Sequence, residues 1–317
     1  MNDQPILVGI SSCLTGLEVR FDGGHKRESF LTGTVSRFVD FVTVCAELEV
    51  GMGVPREAVR LIRRPDGVHM EGNRTGRDWT EDMERFCRQR VEELRALGLC
   101  GFILKKGSPT CGMERVRLYS PEGMPEKNGV GLFARALIEG IPDLPLEEEG
   151  RLCDPPLREN FFERVFAFRR LQRLFIPGWS RGDLVRFHTA EKMLLLAHDE
   201  RGYRTLGRLV AGAANRPAES VEQEYRSVFM ATLRRKSSRG RNANVLQHML
   251  GHLREGLAPR FRQDVAQEIT HYRAGLVPLV VPMTMLAHYA RVLEVPYLLG
   301  QTYLEPHPKE LMLRNHV

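Results

Sequence analysis

The sequence predicts an α/β domain with a parallel sheet, followed by an all-α domain. In the first half, short apolar runs alternate with helical patterns, which is typical of strands joined by crossover helices. In the second half, almost every segment has helical periodicity and none resembles a strand pair. A chain of 317 residues is also long enough for two ordinary domains.

Three short apolar runs in the first half are predicted to be buried strands. They cover residues 6–10, 41–44 and 101–104. Helices are predicted at residues 80–97, where apolar side chains recur at helical spacing between charges, and at residues 131–139. Strands that alternate with helices in this way favour a parallel sheet.

Residues 140–160 are predicted to link the two domains, because their prolines and acidic residues make a poor core. The domains are then expected to span residues 1–150 and 160–317. The predicted helices of the second domain cover residues 161–174, 182–199, 203–214, 218–233, 242–255, 260–274 and 283–293, and Pro278 and Pro282 bracket a short apolar connection before the last of these.

The composition is that of an ordinary globular protein, with 42% hydrophobic and 27% charged residues. No stretch reaches the roughly 18 apolar residues that a membrane helix needs. The N-terminus has no basic segment of the kind that begins a signal peptide. We therefore expect a soluble, cytoplasmic protein without a membrane partner.

The charge is distributed unequally between the two halves. Residues 1–160 carry a net charge of −4, and residues 161–317 carry a net charge of +10. A strongly basic domain joined to a mildly acidic one is suited to a polyanionic partner such as a nucleic acid. The alternative is a solvated basic surface that has no partner.

Six cysteines in a chain expected to be cytoplasmic favour a metal, redox or buried-thiol role over a disulfide framework. None of them forms a CxxC pair, which argues against a zinc ribbon. We interpret Cys87, Cys100 and Cys153 as structural thiols, since free cysteine is often buried.

The other three cysteines, Cys13, Cys45 and Cys111, each lie just beyond the C-terminal end of a predicted strand, or in the loop that follows it. Parallel α/β sheets bind their ligands at this edge. Three thiolates that meet there can hold an iron–sulfur cluster, which normally takes four cysteines. A cluster on three would leave one iron open to substrate, as catalytic metal sites do. From spacing alone, three unrelated thiols are the alternative.

The segments around these cysteines carry a family resemblance. They read VGISSCLTG (8–16), VRFDGGHK (19–26), VCAELEVG (44–51), VPRE (54–57) and LKKGSPTCG (104–112). In this order they resemble the thiouracil desulfidase (TudS) family over about residues 5–140. The resemblance implies an α/β domain that holds a [4Fe-4S] cluster on three cysteines. The unique iron would accept the sulfur of a thiocarbonyl substrate, and hydrolysis would leave the oxo base.

The second half carries a resemblance of its own. Residues 184–198, 244–251 and 297–308 resemble the uncharacterised YbgA-type helical domain. A desulfidase domain fused to this helical domain resembles the RudS-type desulfidases. That resemblance implies removal of sulfur from 4-thiouridine in tRNA, with tRNA as the partner.

Two side chains are candidates for catalysis. The attacking water needs a base, and Glu47 is near Cys45 in the sequence. The resemblance implies that Glu47 is the catalytic glutamate; Glu49 and a purely surface role for Glu47 are the alternatives. Ser108 can donate a proton or stabilise developing charge, or it can simply form a turn with its proline. The family often has serine where Lys106 stands, which leaves the proton donor open.

The remaining candidates are binding residues. Those predicted to line the substrate pocket are Ser11, Ser12, Arg20, Asp22, Gly23 and Gly24, of which the last three are first of all a turn. Those predicted to contact the RNA backbone are Arg234, Arg235, Lys236, Arg239 and Arg241, in a loop between helices. A solvated loop is the alternative for this basic run.

Three functions are compatible with these observations. The first is an enzyme that removes sulfur from thiolated tRNA. The second is the same chemistry on free thiouracil or a thionucleoside. Such a small substrate would not need a basic domain for its binding. The third is an iron–sulfur RNA-binding or redox-sensing protein, which would not need Glu47.

Overall fold

The computed structural model describes residues 5–120 and 123–316. The chain divides into two compact units, Met1–Cys153 and Asp154–Val317. We call them the α/β unit and the helical unit. The first holds a parallel four-stranded sheet and the second is built from helices, so the predicted fold class is confirmed.

The α/β unit contains two separate sheets. Its strands are β1 (Leu7–Ser11), β2 (Asp40–Val44), β3 (Val59–Arg64), β4 (Gly67–Gly72), β5 (Gly101–Leu104), β6 (Val116–Tyr119), β7 (Pro125–Gly129) and β8 (Leu146–Glu148). The first sheet has the order β2-β1-β5-β8, and all its described pairings are parallel. It contains the three strands that the apolar runs predict, so their carboxyl ends share one edge.

The second sheet, in the order β4-β3-β6-β7, was not predicted. Its outer pairings are antiparallel and its central pairing, β3 with β6, is parallel. Charged residues interrupt its strands, for example Arg63 and Arg64 in β3. In β3 only Leu61 and Ile62 are buried, and β4 contains the charged residue Glu71 and the glycines Gly67 and Gly72. These strands therefore lack the continuous apolar run that identifies β1 and β5.

The segment predicted as a linker is partly a strand. Residues 146–148 form β8, at the edge of the parallel sheet beside β5. Glu147 and Glu148 are only 3% and 2% exposed. Arg151 donates to Glu147 at 2.6 Å, and the Met113 amide donates to Glu148 at 2.8 Å. The acidic run is therefore part of the fold, because its carboxylates have partners that compensate their burial.

The helices of the α/β unit are α1 (Ala46–Glu49), α2 (Thr80–Ala96) and α3 (Leu132–Gly140). The last two agree with the predicted helices within one residue at each end. The apolar stripe of α2, which includes Met83, Val91 and Leu94, is buried. The helices α2 and α3 pack against each other.

The helical unit has a first helix that begins at Pro155, earlier than the predicted start at residue 161. Its helices are α4 (Pro155–Leu174), α5 (Arg181–His198), α6 (Glu200–Gly212), α7 (Ala218–Arg234), α8 (Arg239–His252), α9 (Pro259–Ala274), α10 (Val280–Val292) and the short α11 (Pro296–Leu299). The side chain of Asp154 caps α4 by accepting from the Leu157 amide at 3.0 Å. Pro282 lies inside α10 and not before it, since a first-turn residue needs no intrahelical N–H bond.

Buried charges join the beginning and end of the helical unit. Arg314 is 6% exposed and donates to Glu159 at 3.2 Å and to Glu163. The other oxygen of Glu163 lies 3.1 Å from Nε2 of His198, and the other oxygen of Glu159 lies 2.7 Å from Nε2 of His316. We call these five residues the Arg314 network. Each of its carboxylate oxygens faces a cation or a histidine.

Within residues 5–120 and 123–316, no helix is both long and apolar enough to cross a membrane.

Candidate active site

The three candidate cysteines line one cavity at the carboxyl edge of the parallel sheet. Cys13 lies in the helical turn that follows β1, and Cys45 follows β2 directly. Cys111 lies in the loop that follows β5. The cavity has a volume of about 260 Å³. The fold thus brings together side chains that are as much as 98 residues apart in the sequence.

The backbone around Cys13 and Cys45 is held by hydrogen bonds. The carbonyl of Cys13 accepts from the Lys26 amide at 2.8 Å. The amide of Cys45 donates to Oε1 of Glu49 at 2.9 Å, and Arg90 pairs with the other oxygen of Glu49 at 3.2 Å. Glu49, the alternative base, is therefore engaged in holding the Cys45 backbone.

The loop that carries Cys111 is fixed by Ser108 and by the start of α3. The hydroxyl oxygen of Ser108 accepts from the amides of Thr110 and Cys111, both at 3.1 Å. The Phe133 amide donates to the Thr110 carbonyl at 3.0 Å. A Cβ atom on Gly131 would lie 2.5 Å from that carbonyl, so only glycine permits this close approach of helix and loop.

Burial favours the protonated form of all three thiols. It raises the pKa of Cys13 to about 11, although the ammonium of Lys105 opposes the shift. It also raises the pKa of Cys45 and, more strongly, that of Cys111, whose pKa the nearby Glu47 raises further. A metal group binds thiolates, so its binding here must release these protons.

The chemistry of the donor set suits an iron–sulfur cluster. Among the described residues, no group of three or more His, Cys, Asp or Glu side chains is placed to hold one metal ion. A cluster differs in this respect, because each cysteine binds a different iron and the sulfurs need not converge on one point. Cysteine thiolates without histidine are the usual ligands of [4Fe-4S] clusters.

Glu47 lies on the same cavity and is held in a fixed orientation. Its Oε2 accepts from Nη2 of Arg56 at 2.5 Å and from Nε at 2.9 Å, and its Oε1 accepts from the Thr110 hydroxyl at 2.9 Å. A carboxylate has about four acceptor sites. Arg56 and Thr110 occupy three, so one remains for a water molecule.

Arg56 is a part of the site that the sequence did not reveal. Its side chain is 6% exposed, and Nη1 donates to the carbonyls of Val19 at 3.0 Å and Gly53 at 2.9 Å. The guanidinium thus joins the loop after β1 to Glu47. The only sequence signal was its place in the VPRE segment, which assigns no partner. Thr110 and Lys105, which lines the cavity, were also missed.

The predicted pocket residues divide into two groups. Ser11, Ser12 and Arg20 line the cavity. Asp22, Gly23 and Gly24 are not among the residues that line it. They form a turn in which Asp22 accepts from the Gly24 amide at 3.1 Å and pairs with Arg20 at 3.3 Å, and Gly23 has a φ of +76°. Their assignment as substrate-binding residues stays a prediction.

The basic run covers the end of α7, the connection that follows it and the start of α8. It is therefore only partly the loop that the sequence predicts. Arg234 ends α7, and Arg239 and Arg241 belong to the first turn of α8. Arg235 pairs with Asp199 at 3.2 Å. Arg241 donates to the carbonyls of Ala197 at 3.1 Å and Lys236 at 2.6 Å. Arg235 and Arg241 therefore have structural partners, and the predicted RNA contact remains a prediction.

Comparison with known proteins gives a separate family match for each part of the chain. Residues 8–149 match the model of the 2-thiouracil desulfurase family. Residues 192–308 match a family described as a protein of unknown function, DUF1722. A solved structure described as the [4Fe-4S]-dependent thiouracil desulfidase TudS is 27% identical; the match covers 46% of this chain and 93% of that one, with a TM-score of 0.37.

Two curated proteins are also similar to the chain. The uncharacterized protein YbgA of Escherichia coli is 33% identical over 153 residues, which are 48% of this chain and 90% of YbgA. The uncharacterized protein YbbK of Bacillus subtilis is 28% identical over 114 residues, which are 33% of this chain and 73% of YbbK. The chain belongs to the family of Escherichia coli YbgA.

Proposed function

We propose that the protein is a [4Fe-4S]-dependent desulfidase that hydrolytically converts 4-thiouridine in tRNA to uridine. One observation carries the proposal: Cys13, Cys45, Cys111 and Glu47 line a single cavity in a unit that matches the 2-thiouracil desulfurase family. A thiocarbonyl base that enters this cavity would meet thiolate ligands and a carboxylate together.

The three cysteines would hold the cluster by one thiolate each. When bound, the cluster supplies an iron without a protein ligand, a Lewis acid that binds the thiocarbonyl sulfur and draws electron density from the ring carbon. This makes the ring carbon open to attack by water.

Glu47 would accept a proton from the attacking water through its remaining acceptor site. Arg56 and Thr110 keep the carboxylate turned toward the cavity, so that it does not need to reorganise during the reaction. The water oxygen forms a new bond to the ring carbon, the carbon–sulfur bond breaks, and the sulfur leaves as hydrogen sulfide with the two protons of the water. The product is the oxo base, and the sulfur does not change its oxidation state.

Ser108 can stabilise the charge that develops on the base. Its oxygen already accepts from two amides, so its own O–H proton is available to donate. Lys106 lines the cavity at the position where the family often has serine, so the chain has no hydroxyl there. Ser108 is therefore our candidate for the proton donor.

The charge of the second half supports tRNA as the substrate. Residues 161–317 carry a net charge of +10, which suits contact with a phosphate backbone. The matched family is named for 2-thiouracil, which is a free base. This name favours a second candidate substrate, free thiouracil or a thionucleoside. A third candidate is an iron–sulfur RNA-binding or redox-sensing protein, in which Glu47 would be dispensable.

The proposal can be tested by anaerobic reconstitution with iron and sulfide. The protein is then incubated with tRNA that contains 4-thiouridine, with free 4-thiouracil in parallel and a Cys13→Ala variant as control. We expect the thiouridine absorbance to disappear on tRNA and to persist in the variant. Turnover of the free base alone would establish the second candidate, and no turnover with an intact cluster would favour the third.

A further inference from the structure

The helical unit contains a groove that neither family match explains. Helices α5, α6, α8 and α11 contribute to it, and its volume of about 650 Å³ exceeds that of the cysteine-lined cavity. Its lining combines aromatic and basic side chains: Lys192, Tyr203, Arg204, Arg241, His252 and Tyr297.

The aromatic side chains of the groove are partly exposed. Tyr203 and Tyr297 are half-buried, and His252 is exposed. The rings of His252 and Tyr297 lie 4.6 Å apart between centroids. Behind Tyr203, the ring of the buried His188 lies nearly parallel, at 9° and 6.4 Å. These contacts limit the movement of the rings, which remain accessible from the groove. A stacking platform for a nucleobase needs both properties.

The charge of the groove is positive. Among the described residues that line the groove, Glu200 carries the negative charge, and it forms an ion pair with Arg204 at 2.5 Å. Lys192 has no ion-pair partner in the part of the chain that the structure describes. Arg241 is positioned in advance by its two carbonyl partners, and its remaining N–H groups can still donate.

The groove is continuous with the basic run. Arg241 and Gly240 line it, and both belong to the first turn of α8, where the run ends. A phosphate backbone that contacts the run would thus bring its bases next to the aromatic side chains. A duplex cannot use such a surface, because its bases are stacked within the helix, whereas unpaired nucleotides can.

A metal site is not an adequate explanation of the same residues. His248 and His252 are four residues apart on α8 and both line the groove. Among the described residues, however, no group of three metal-binding side chains is suitably placed.

We propose that this groove, lined by Tyr203, Tyr297, His252, Lys192 and Arg241, binds one or two unpaired nucleotides of the tRNA by stacking and phosphate contacts. The inference rests on the proposed function, since it identifies where the helical unit holds the same substrate. It also separates two tasks: the groove binds the RNA, and the cysteine-lined cavity receives the thiolated base.

The test compares alanine and phenylalanine at the two tyrosines. We expect Tyr203→Ala and Tyr297→Ala each to raise the Kd for tRNA by about tenfold in a gel-shift titration at fixed salt, because each removes a stacking platform. Tyr203→Phe and Tyr297→Phe keep the ring and should bind within about twofold of the unaltered protein. Tyr289→Ala, at a half-buried position on α10 outside the groove, is the control for general loss of a tyrosine ring and should leave the Kd unchanged.

Helical circular dichroism establishes that each variant is folded. Two results would overturn the inference: folded alanine variants that bind tRNA like the unaltered protein, or phenylalanine variants that lose as much affinity as the alanine variants. Turnover of free 4-thiouracil should be unchanged in all of them. If the unaltered protein desulfurates neither tRNA nor the free base, the proposed function is wrong. The binding titration still tests the proposed groove in that case, because it does not depend on turnover.

Discussion

The buried polar groups of the two units are arranged in different ways. In the helical unit, the Arg314 network is closed: both oxygens of Glu159 and of Glu163 face a partner from the protein. In the α/β unit, the thiols of Cys13, Cys45 and Cys111 line a cavity, and burial raises their pKa values.

We interpret the Arg314 network as a structural cluster and the three thiols as ligands for a metal group. Buried charges that satisfy one another are costly to break. Arg314, Glu159, Glu163 and His316 also line a cavity, of about 240 Å³, but their carboxylate oxygens already have partners within the protein. The three thiols line a cavity and are neutral, so they retain the capacity to bind a metal group, which replaces their protons. Glu47 is intermediate, because its three protein contacts orient it and leave one acceptor site.

The largest expected effect follows from removal of a cysteine ligand. Cys45→Ala and Cys111→Ala should each abolish the visible absorbance of the reconstituted cluster and reduce desulfuration to background, since three thiolates are already fewer than the usual four. Iron content and activity are the measurements. Cys153→Ala removes an exposed thiol that does not line the cavity, and should change neither. A Cys111→Ala variant with full cluster content would remove this residue from the ligand set.

The next effect concerns the orientation of Glu47. Arg56→Lys keeps the positive charge but loses the forked geometry that contacts Glu47, Val19 and Gly53. We expect kcat to fall by about 10- to 100-fold with KM and cluster content nearly unchanged. Arg63→Lys, on the exposed side of β3, is the matched control. A parallel loss of cluster and kcat would instead indicate a structural role.

Disruption of the Arg314 network should affect stability and leave the chemistry intact. Arg314→Met leaves two buried carboxylates without their shared cation, so we expect the helical unit to lose about 3–5 kcal/mol of unfolding free energy. Denaturant titration followed by helical circular dichroism measures this. Adding Glu163→Gln should restore part of the loss, because it removes one of the unpaired charges. No recovery would mean that packing of the Arg314 side chain dominates.

A smaller effect is the acid sensitivity of the helical unit. His188 is 4% exposed, and burial lowers its pKa from 6.5 to about 4, with Lys192 adding to the shift. The unfolded chain therefore binds a proton below pH 6.5 that the folded chain accepts only near pH 4. Stability falls across this window as the pH decreases, by about 2 kcal/mol between pH 7 and pH 5.

His188→Gln should make the unfolding free energy less dependent on pH in that window, and denaturant titrations at both pH values measure the change. His307, whose pKa burial also lowers, contributes in the same direction and remains in the variant. An unchanged difference between pH 7 and pH 5 would show that His188 titrates normally in the folded protein.

The sequence was most informative where one physical signal dominates. Continuous apolar runs identify β1, β2 and β5, and the segments around Cys13, Cys45 and Cys111 identify one shared edge. The strand β8 was missed because Glu147 and Glu148 resemble a solvated acidic run, and only their partners Arg151 and Met113 explain their burial.

Contacts within the site were harder to predict. Arg56 lies nine residues beyond Glu47, and Thr110 lies 63 residues beyond it. Neither separation corresponds to a helix or strand period, so no pattern indicates that these side chains meet. Their contacts with Glu47 depend on the path of two loops, which the sequence alone does not specify.

The most direct test of the account is to measure cluster content and turnover together in Glu47→Gln. The amide keeps the size of the side chain but is a poor base, so we predict an unchanged cluster and a kcat about 10²- to 10⁴-fold lower. Glu49→Gln, which alters the partner of the Cys45 amide, should retain most of its turnover per cluster. A Glu47→Gln variant that desulfurates as fast as the unaltered protein would contradict the account.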